Sequence, residues 1–412
     1  VTLPTTPTVE IRLGTGPGFG DVLVLGDLAD GIIGTNVLGT SVVQVVDVSP
    51  TVQRISIRRG RDRMFEQYTP GTATVQFQDF TGDWNPDNTS SPYFGQILPM
   101  RQVRIHTNYG GTTYYLFTGF ITSWDWNWAD QSADYALVTI QLIDAFRLLQ
   151  LSNITTVAGA ATNDLPGTRI GEILDQISWP TSLRNIYPGD VELQNDPGTL
   201  RNALAACQNI ETTDLGAFFV APNGYVTYLS RAQLAILAAG SATTFDDDGT
   251  DIAYQNLDVN LDETELANQV TFARLGGTDQ TASDATSISE YFLRSYYQSG
   301  LMMKDNASAL AQATSVLNYR KDPRVRVDSI TLDLSSVSNR VVPGLSLDIG
   351  DPIVVNRTWA NGTRFDVRVT VNGVSHDITP ERWTTRFTTA YPLSTAFILD
   401  SAQFGILGTN TL

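Results

Sequence analysis

Soft metal ligands and general bases are almost absent from this chain. Its 412 residues include one cysteine, Cys207, and two histidines, His106 and His376. A single thiol excludes an intramolecular disulfide framework and a thiolate-rich metal centre. Two imidazoles leave little raw material for His-dependent hydrolysis or His-ligated zinc. Positive charge is scarce too: 26 Lys and Arg stand against 43 Asp and Glu, a formal net charge of −17. Simple electrostatic adhesion to phosphate backbones is therefore disfavoured. No apolar run approaches the roughly 20 residues that cross a bilayer, so no stable membrane insertion is expected. The opening VTLPTTPTVEIRLG has neither a basic nor an apolar signal region, so a secretory leader is not expected there.

Catalytic motifs are missing as well. The sequence contains no Gly-x-Ser-x-Gly elbow, phosphate-binding loop or His-Glu-x-x-His. Asp125, Asp144 and Glu172 are scattered carboxylates, and sequence supplies neither the separation nor the opposed environments a glycosidase pair needs. The glycines of GTGPGFG, Gly14 to Gly20, fall on every second residue, which is not the dinucleotide fingerprint. Asp246, Asp247, Asp248 and Asp251 around Gly249 invite a calcium reading. Aligning Gly249 with the glycine of an EF-hand loop, however, puts Thr244 and Gln255 where carboxylates belong. The expectation is a solvated loop, with no enzyme activity, no cofactor and no metal.

What is present is an ordinary globular composition, 42% hydrophobic and 17% charged, in a chain long enough for about two to four domains. From Arg54 to Phe146, short alternating runs recur: Ile55/Ile57, Ala73/Val75/Phe77, Val103/Ile105 and Val138/Ile140/Leu142. That is the period of half-buried strands, and clusters such as Asp83–Asn88 and Asn108–Gly111 separate them as turns. A small barrel or sandwich follows. Beyond Ser152 the period changes. Ile170, Ile173, Leu174 and Ile177 predict one helix, and Leu200, Ala203, Leu204 and Cys207 a second. Phe218–Val220 and Tyr225–Leu229 flank Pro222-Asn223-Gly224 as a hairpin.

A second strand-rich stretch is expected to begin at Leu266–Arg274. Asp305-Asn306 caps a helix with Leu310, Ala313, Thr314 and Leu317 on one face, ended by Pro323. Val325 and Val327 are out of phase with Ile330, Leu332 and Leu334, which predicts a bulge near Asp328-Ser329. Leu345–Val355 reads as a strand pair broken at Gly350, and Asn361-Gly362 and Asn372-Gly373 as two hairpin turns. The stretch after Gly373 loosely echoes the one after Gly119.

Two further clusters carry chemistry. Trp124, Trp126 and Trp128 alternate along one strand face, where they could stack on sugar rings or pack against a neighbouring surface. Arg58, Arg59, Arg61 and Arg63 form the densest basic cluster, better suited to carboxylates across a subunit contact than to DNA. Both clusters are taken as candidate inter-subunit contacts. Leu23–Leu38 also aligns without gaps on Phe397–Leu412, with Leu25/Leu399, Gly31/Gly405, Gly34/Gly408, Thr35/Thr409 and Asn36/Asn410 identical. One copy near each end suggests either flaps over sheet edges or paired docking arms that work by strand addition.

Gly60-Arg61, the strand TATVQF, the loop Trp84–Asn88, Ser91-Pro92-Tyr93, then VRI and LFTGFI together resemble minor tail proteins of long-tailed bacteriophages (siphophages). The resemblance is to the tail-tip hub family related to the baseplate hub of contractile phages. It implies a mainly β chain in which two tail-tube-like β-barrels bracket a small α+β insertion. The expected layout is an N-terminal extension over 1–50 with its arm at 23–38, and a first barrel over 51–150. An α+β domain over 151–245 and a second barrel over 246–390, with a helix near 305–320, follow. A C-terminal arm over 391–412 ends the chain. The resemblance further implies a homotrimer at the distal end of the virion tail, made in the host cytoplasm. Its implied partners are a distal tail protein, a tape-measure protein and a tail fibre or receptor-binding protein, with DNA passing only transiently. A glycan-binding adhesin using the tryptophan face is the alternative.

Overall fold

In the computed structural model the described residues are 3–14, 44–128, 135–335 and 337–393. The chain is mainly β, and 14 of its strands form one continuous sheet. We number these in chain order. β1 is Pro7–Arg12, β2 Val45–Asp47, β3 Val52–Gly60, β4 Thr69–Asp79, β5 Gln102–Tyr109, β6 Thr112–Asn127 and β7 Ala136–Ile143. β8 is Thr243–Asp246, β9 Ile252–Ala253, β10 Asn256–Asn260, β11 Arg326–Asp333, β12 Pro352–Thr358, β13 Arg364–Thr379 and β14 Arg382–Ala390.

The sheet is a duplication. In the first half the neighbours run β2-β1-β5-β6-β7-β4-β3, and in the second β9-β8-β12-β13-β14-β11-β10. Adding seven to each label of the first order gives the second. β6 and β13, the central strands, are each 16 residues long with six consecutive buried positions. Only β8 departs in direction, lying parallel to β12 where β1 is antiparallel to β5. The halves meet where β3 pairs with β13, and one apolar core runs through both, from Val9 and Phe77 to Val327 and Trp383.

Closed barrels do not form among the described residues. In the first half, β2 does not return to β3, because the outer edge of β3 is taken by β13.

Two insertions leave this sheet. The first follows β7 and contains helices Pro166–Gln176 and Ala203–Asp214 and the hairpin Ala217–Val220/Val226–Leu229, with Arg184–Ile186 added in parallel. Its amphipathic helices bury Ile170, Ile173, Leu174, Leu204 and Cys207 in a core of their own. Leu200 stays outside the second helix, 74% exposed, because that helix begins at Ala203 with Asn202 as its cap.

The second insertion corrects the expectation for Leu266–Arg274. Strand Gln269–Arg274 never joins the large sheet. It sits between Gln280–Ser283 and Ser295–Leu301 in a separate sheet beneath helix Asn306–Arg320, with its own small core. Asp305 caps that helix through the Ser308 amide as expected. Ala309, Ala313, Val316 and Leu317 make its buried face, whereas Leu310 and Thr314 are exposed.

Other local readings divide the same way. The bulge falls at Asp328, since Asp258 faces Ser329 and Val259 faces Val327. Asn361-Gly362 is the turn between β12 and β13, but Asn372-Gly373 lies inside β13. Leu345 belongs to a short helix, Val341–Ser346, so a strand begins only at Pro352. Among the described residues no helix is long and apolar enough to cross a membrane.

Candidate assembly site at the joint between the halves

β3 runs antiparallel along the second part of β13, with Ile55 opposite Ile378, Ile57 opposite His376 and Gly60 opposite Gly373. The strands cross at the two glycines. Gly60 has φ +104°, and a Cβ on it would overlap the Asn372 carbonyl and the Gly373 Cα. A Cβ on Gly373 would lie 2.6 Å from Thr388 Oγ1. Asn372 is the extra residue of a bulge, where the register with β14 slips between Val371 and Gly373. Its freed carbonyl accepts from the Arg61 amide at 3.0 Å. Bulge and glycine together let one strand turn away just as another arrives.

Charged side chains anchor the joint on its inner side. Buried Arg59 sets Nη2 2.7 Å from Asp348 and Nη1 3.5 Å from the Val220 carbonyl, tying the first half to the second and to the first insertion. Arg61, also buried, lies 4.4 Å over the Tyr68 ring, donates to the Glu66 carbonyl at 3.0 Å and approaches Glu211 to 3.9 Å. Burial pushes the Glu211 carboxyl up to about 8, against the pull of Arg61. Burial likewise raises Asp144 to about 7, although the Gly71 and Phe146 amides donate to it. His376 is pushed down to about 3, mostly by burial and then by the Arg59 charge, and shares a 2.9 Å hydrogen bond with Thr385 Oγ1. His376 and the two raised carboxyls, Glu211 and Asp144, lie around the buried Arg59 and Arg61. The arrangement holds the two halves of the sheet together. Outside it, Arg58, Gly60, Ser375, Arg386 and Thr388 line an open cleft of about 300 Å³.

No protein-family model and no curated protein matches the chain. Solved structures do. The tail protein from Neisseria meningitidis MC58 superposes with a TM-score of 0.58 at 12% identity, covering 94% of this chain and 96% of that one. The 43 kDa tail protein of prophage MuSo2 from Shewanella oneidensis gives 0.56 at 11% identity, covering 94% and 99%. The chain has the phage tail protein fold.

Within this tail protein fold the four arginines do not act together. Strand alternation turns Arg59 inward, and Arg61 is buried beyond the strand end. Arg58 is exposed and paired with Asp62 at 2.6 Å, and Arg63 is exposed without an ion pair among the described residues. The tryptophans divide too. Trp124 Nε1 donates to the Leu98 carbonyl at 3.1 Å and Trp126 Nε1 to the Trp84 carbonyl at 2.9 Å. Their rings stack at 6.3 Å, and Trp84 lies 5.6 Å from Trp124. Both indoles therefore clamp the loop between β4 and β5 over the core, and Trp128 alone is open, at 59% exposure.

The acidic turn is occupied by arginines: Asp247 meets Arg357 at 3.0 Å, Asp248 meets Arg364 at 2.7 Å, and Asp246 also meets Arg364. The matching segments 23–38 and 397–412, including Leu25, Gly31, Gly34, Thr35, Asn36, Leu399, Gly405, Gly408, Thr409 and Asn410, lie outside the described residues. Sequence reasoning missed Gly60, Gly373 and Asp348 as joint residues. The available signal was the pair of long strands after Gly119 and Gly373, set in the wrong phase.

Proposed function

We propose that this chain is a structural protein of a phage tail tip, a hub that closes the tail tube as a homotrimer. The single observation that carries the reading is the duplicated seven-strand half inside a tail protein fold. Three copies of a chain with two similar halves offer six similar surfaces, which suits the sixfold tube of the resembling family. Its partners in this reading are the distal tail ring, the tape-measure protein and a fibre or receptor-binding component. The ring holds the tape measure and then opens for DNA, whose backbone an acidic wall does not retain. Arg58, Arg63 and Trp128 are the accessible members of the expected contact set. The segments 23–38 and 397–412 act as docking arms.

The engagement of Trp124 and Trp126 with the loop favours this reading over a glycan-binding face. Light scattering on the purified chain is expected to give three times the monomer mass at high concentration. A particle reconstruction is expected to show the chain encircling the tail axis with threefold symmetry. A position off the axis would overturn the hub.

A further inference from the structure

We propose that a second copy of this chain adds head to tail through two open strand edges. The outer edge of β10 in one copy pairs with the outer edge of the Ser123–Trp128 segment in the next. The inference rests on the self-assembling reading above and goes further by naming the strands and their register.

The two halves can be matched residue by residue. Gln102 faces Phe120 and Pro352 faces Thr370 at the same point of each hairpin. Just before these positions, Met100 and Gly350 both have positive φ, and both donate to the long strand, at the Ile121 and Val371 carbonyls. Ile121 and Val371 donate back to Arg101 and Asp351. Each long strand then bulges by one residue, at Thr122 and Asn372. Ser123 through Trp128 thus correspond to Gly373 through Ile378, the segment on which β3 docks. Carried across β7/β14 and β4/β11, the same matching sets Ile55, Ile57 and Arg59 against Leu257, Val259 and Leu261.

So the docking strand and the docking segment occur twice per chain, yet only one joint is made. Among the described residues β10 pairs with β11 alone, and Ser123–Asn127 pairs with β7 alone. Burial records the missing neighbour. Ile55, Ile57, Arg59, Val374, His376 and Ile378 are all buried. Their counterparts Leu257, Val259, Trp124 and Trp126 are only half-buried, while Leu261 is 61% exposed and Trp128 59%. An open edge flanked by apolar side chains is a template for strand addition.

Copying the internal register sets Leu261 opposite Trp124, Val259 opposite Trp126 and Leu257 opposite Trp128. Asp262 and Ser123 stand where Gly60 and Gly373 cross, so close approach is not available there. The contact therefore covers five residues on each side, Leu257–Leu261 and Trp124–Trp128, the last of each lying one position past its strand. Each copy offers one edge of each kind, which makes the contact heterologous and able to close into a ring.

The test uses the full chain with Leu257→Cys and Trp128→Cys, separately and together. Cys207 is buried and its thiol is pushed up by that burial, so it stays silent. Under mild oxidation, mixing the two single variants is expected to give linked dimers, each single variant alone none, and the double variant a ladder ending at the ring. Leu261→Arg, at an exposed position, is expected to leave the melting midpoint of the dilute monomer unchanged and weaken self-association at least tenfold. Assemblies of unchanged mass in which neither the cysteine pair links nor Leu261→Arg weakens association would overturn this joint while leaving the tail-tip ring intact. A single variant that links to itself shows a twofold contact and also overturns it. A chain that stays monomeric at every concentration overturns the ring reading itself.

Discussion

Phe292 has φ 62° and ψ 167°, a region that essentially only glycine occupies, at a cost of about 1–3 kcal/mol. Packing does not compensate, because the side chain is 81% exposed. The conformation is imposed by Asn268, fully buried, whose Nδ2 donates to the Phe292 carbonyl at 2.8 Å and whose Oδ1 accepts from the Arg294 amide at 2.8 Å. Phe292→Gly is therefore expected to raise stability by about 1 kcal/mol in urea unfolding, after the entropy glycine adds to the unfolded chain. No gain would mean the strain is not there. Glu211 supplies a pH signature. Its carboxyl titrates near 8 when folded and near 4.5 when unfolded. Between those values the folded chain retains a proton the unfolded chain has released. Stability thus falls as pH rises through this window, by up to about 1.4 kcal/mol per pH unit. His376, lowered on folding, acts oppositely, contributing stability that is lost as pH falls below about 6.5. The difference between wild type and Glu211→Gln removes that background. It is expected to shrink on acidification from pH 8.5 to 5, with the variant the more stable at high pH; a pH-independent difference would refute the assignment.

At the scale of elements, the joint depends on a crossing that tolerates no Cβ. Gly60→Ala is expected to cost about 3 kcal/mol or more, as overpacking against backbone does. Gly110 is the control: its φ is +60° but the space around it is open. Gly110→Ala should cost only about 1 kcal/mol. Equal losses in chemical denaturation would show that backbone conformation, not the crossing, sets the penalty. Elements governed by local chemistry were legible in sequence. The phase change between Val327 and Ile330 located a bulge, and Pro222-Asn223-Gly224 located a hairpin. Asn372-Gly373 carries the same turn chemistry as Asn361-Gly362, yet lies mid-strand because β3 crosses there.

For the whole molecule, one core shared by both halves predicts one cooperative unit. Amides of Ile55–Arg59 and Val374–Ile378 are expected to exchange with the same opening free energy as β4 and β14 in native-state hydrogen exchange. A joint that opens at lower energy while each half stays protected would instead make them separate domains. The insertions have their own cores, so their exchange is free to differ.

The sequence by itself determined the strand and helix periods, the caps, most turns and the scarcity of catalytic side chains, since these depend on residues a few positions apart. Tertiary structure alone decided that Arg59 and Arg61 turn inward, and that Trp124 and Trp126 hold a loop. It also decided that two glycines more than 300 positions apart must meet. Those outcomes depend on which surface arrives from a distant part of the chain. Alternation and charge within a short stretch do not encode that.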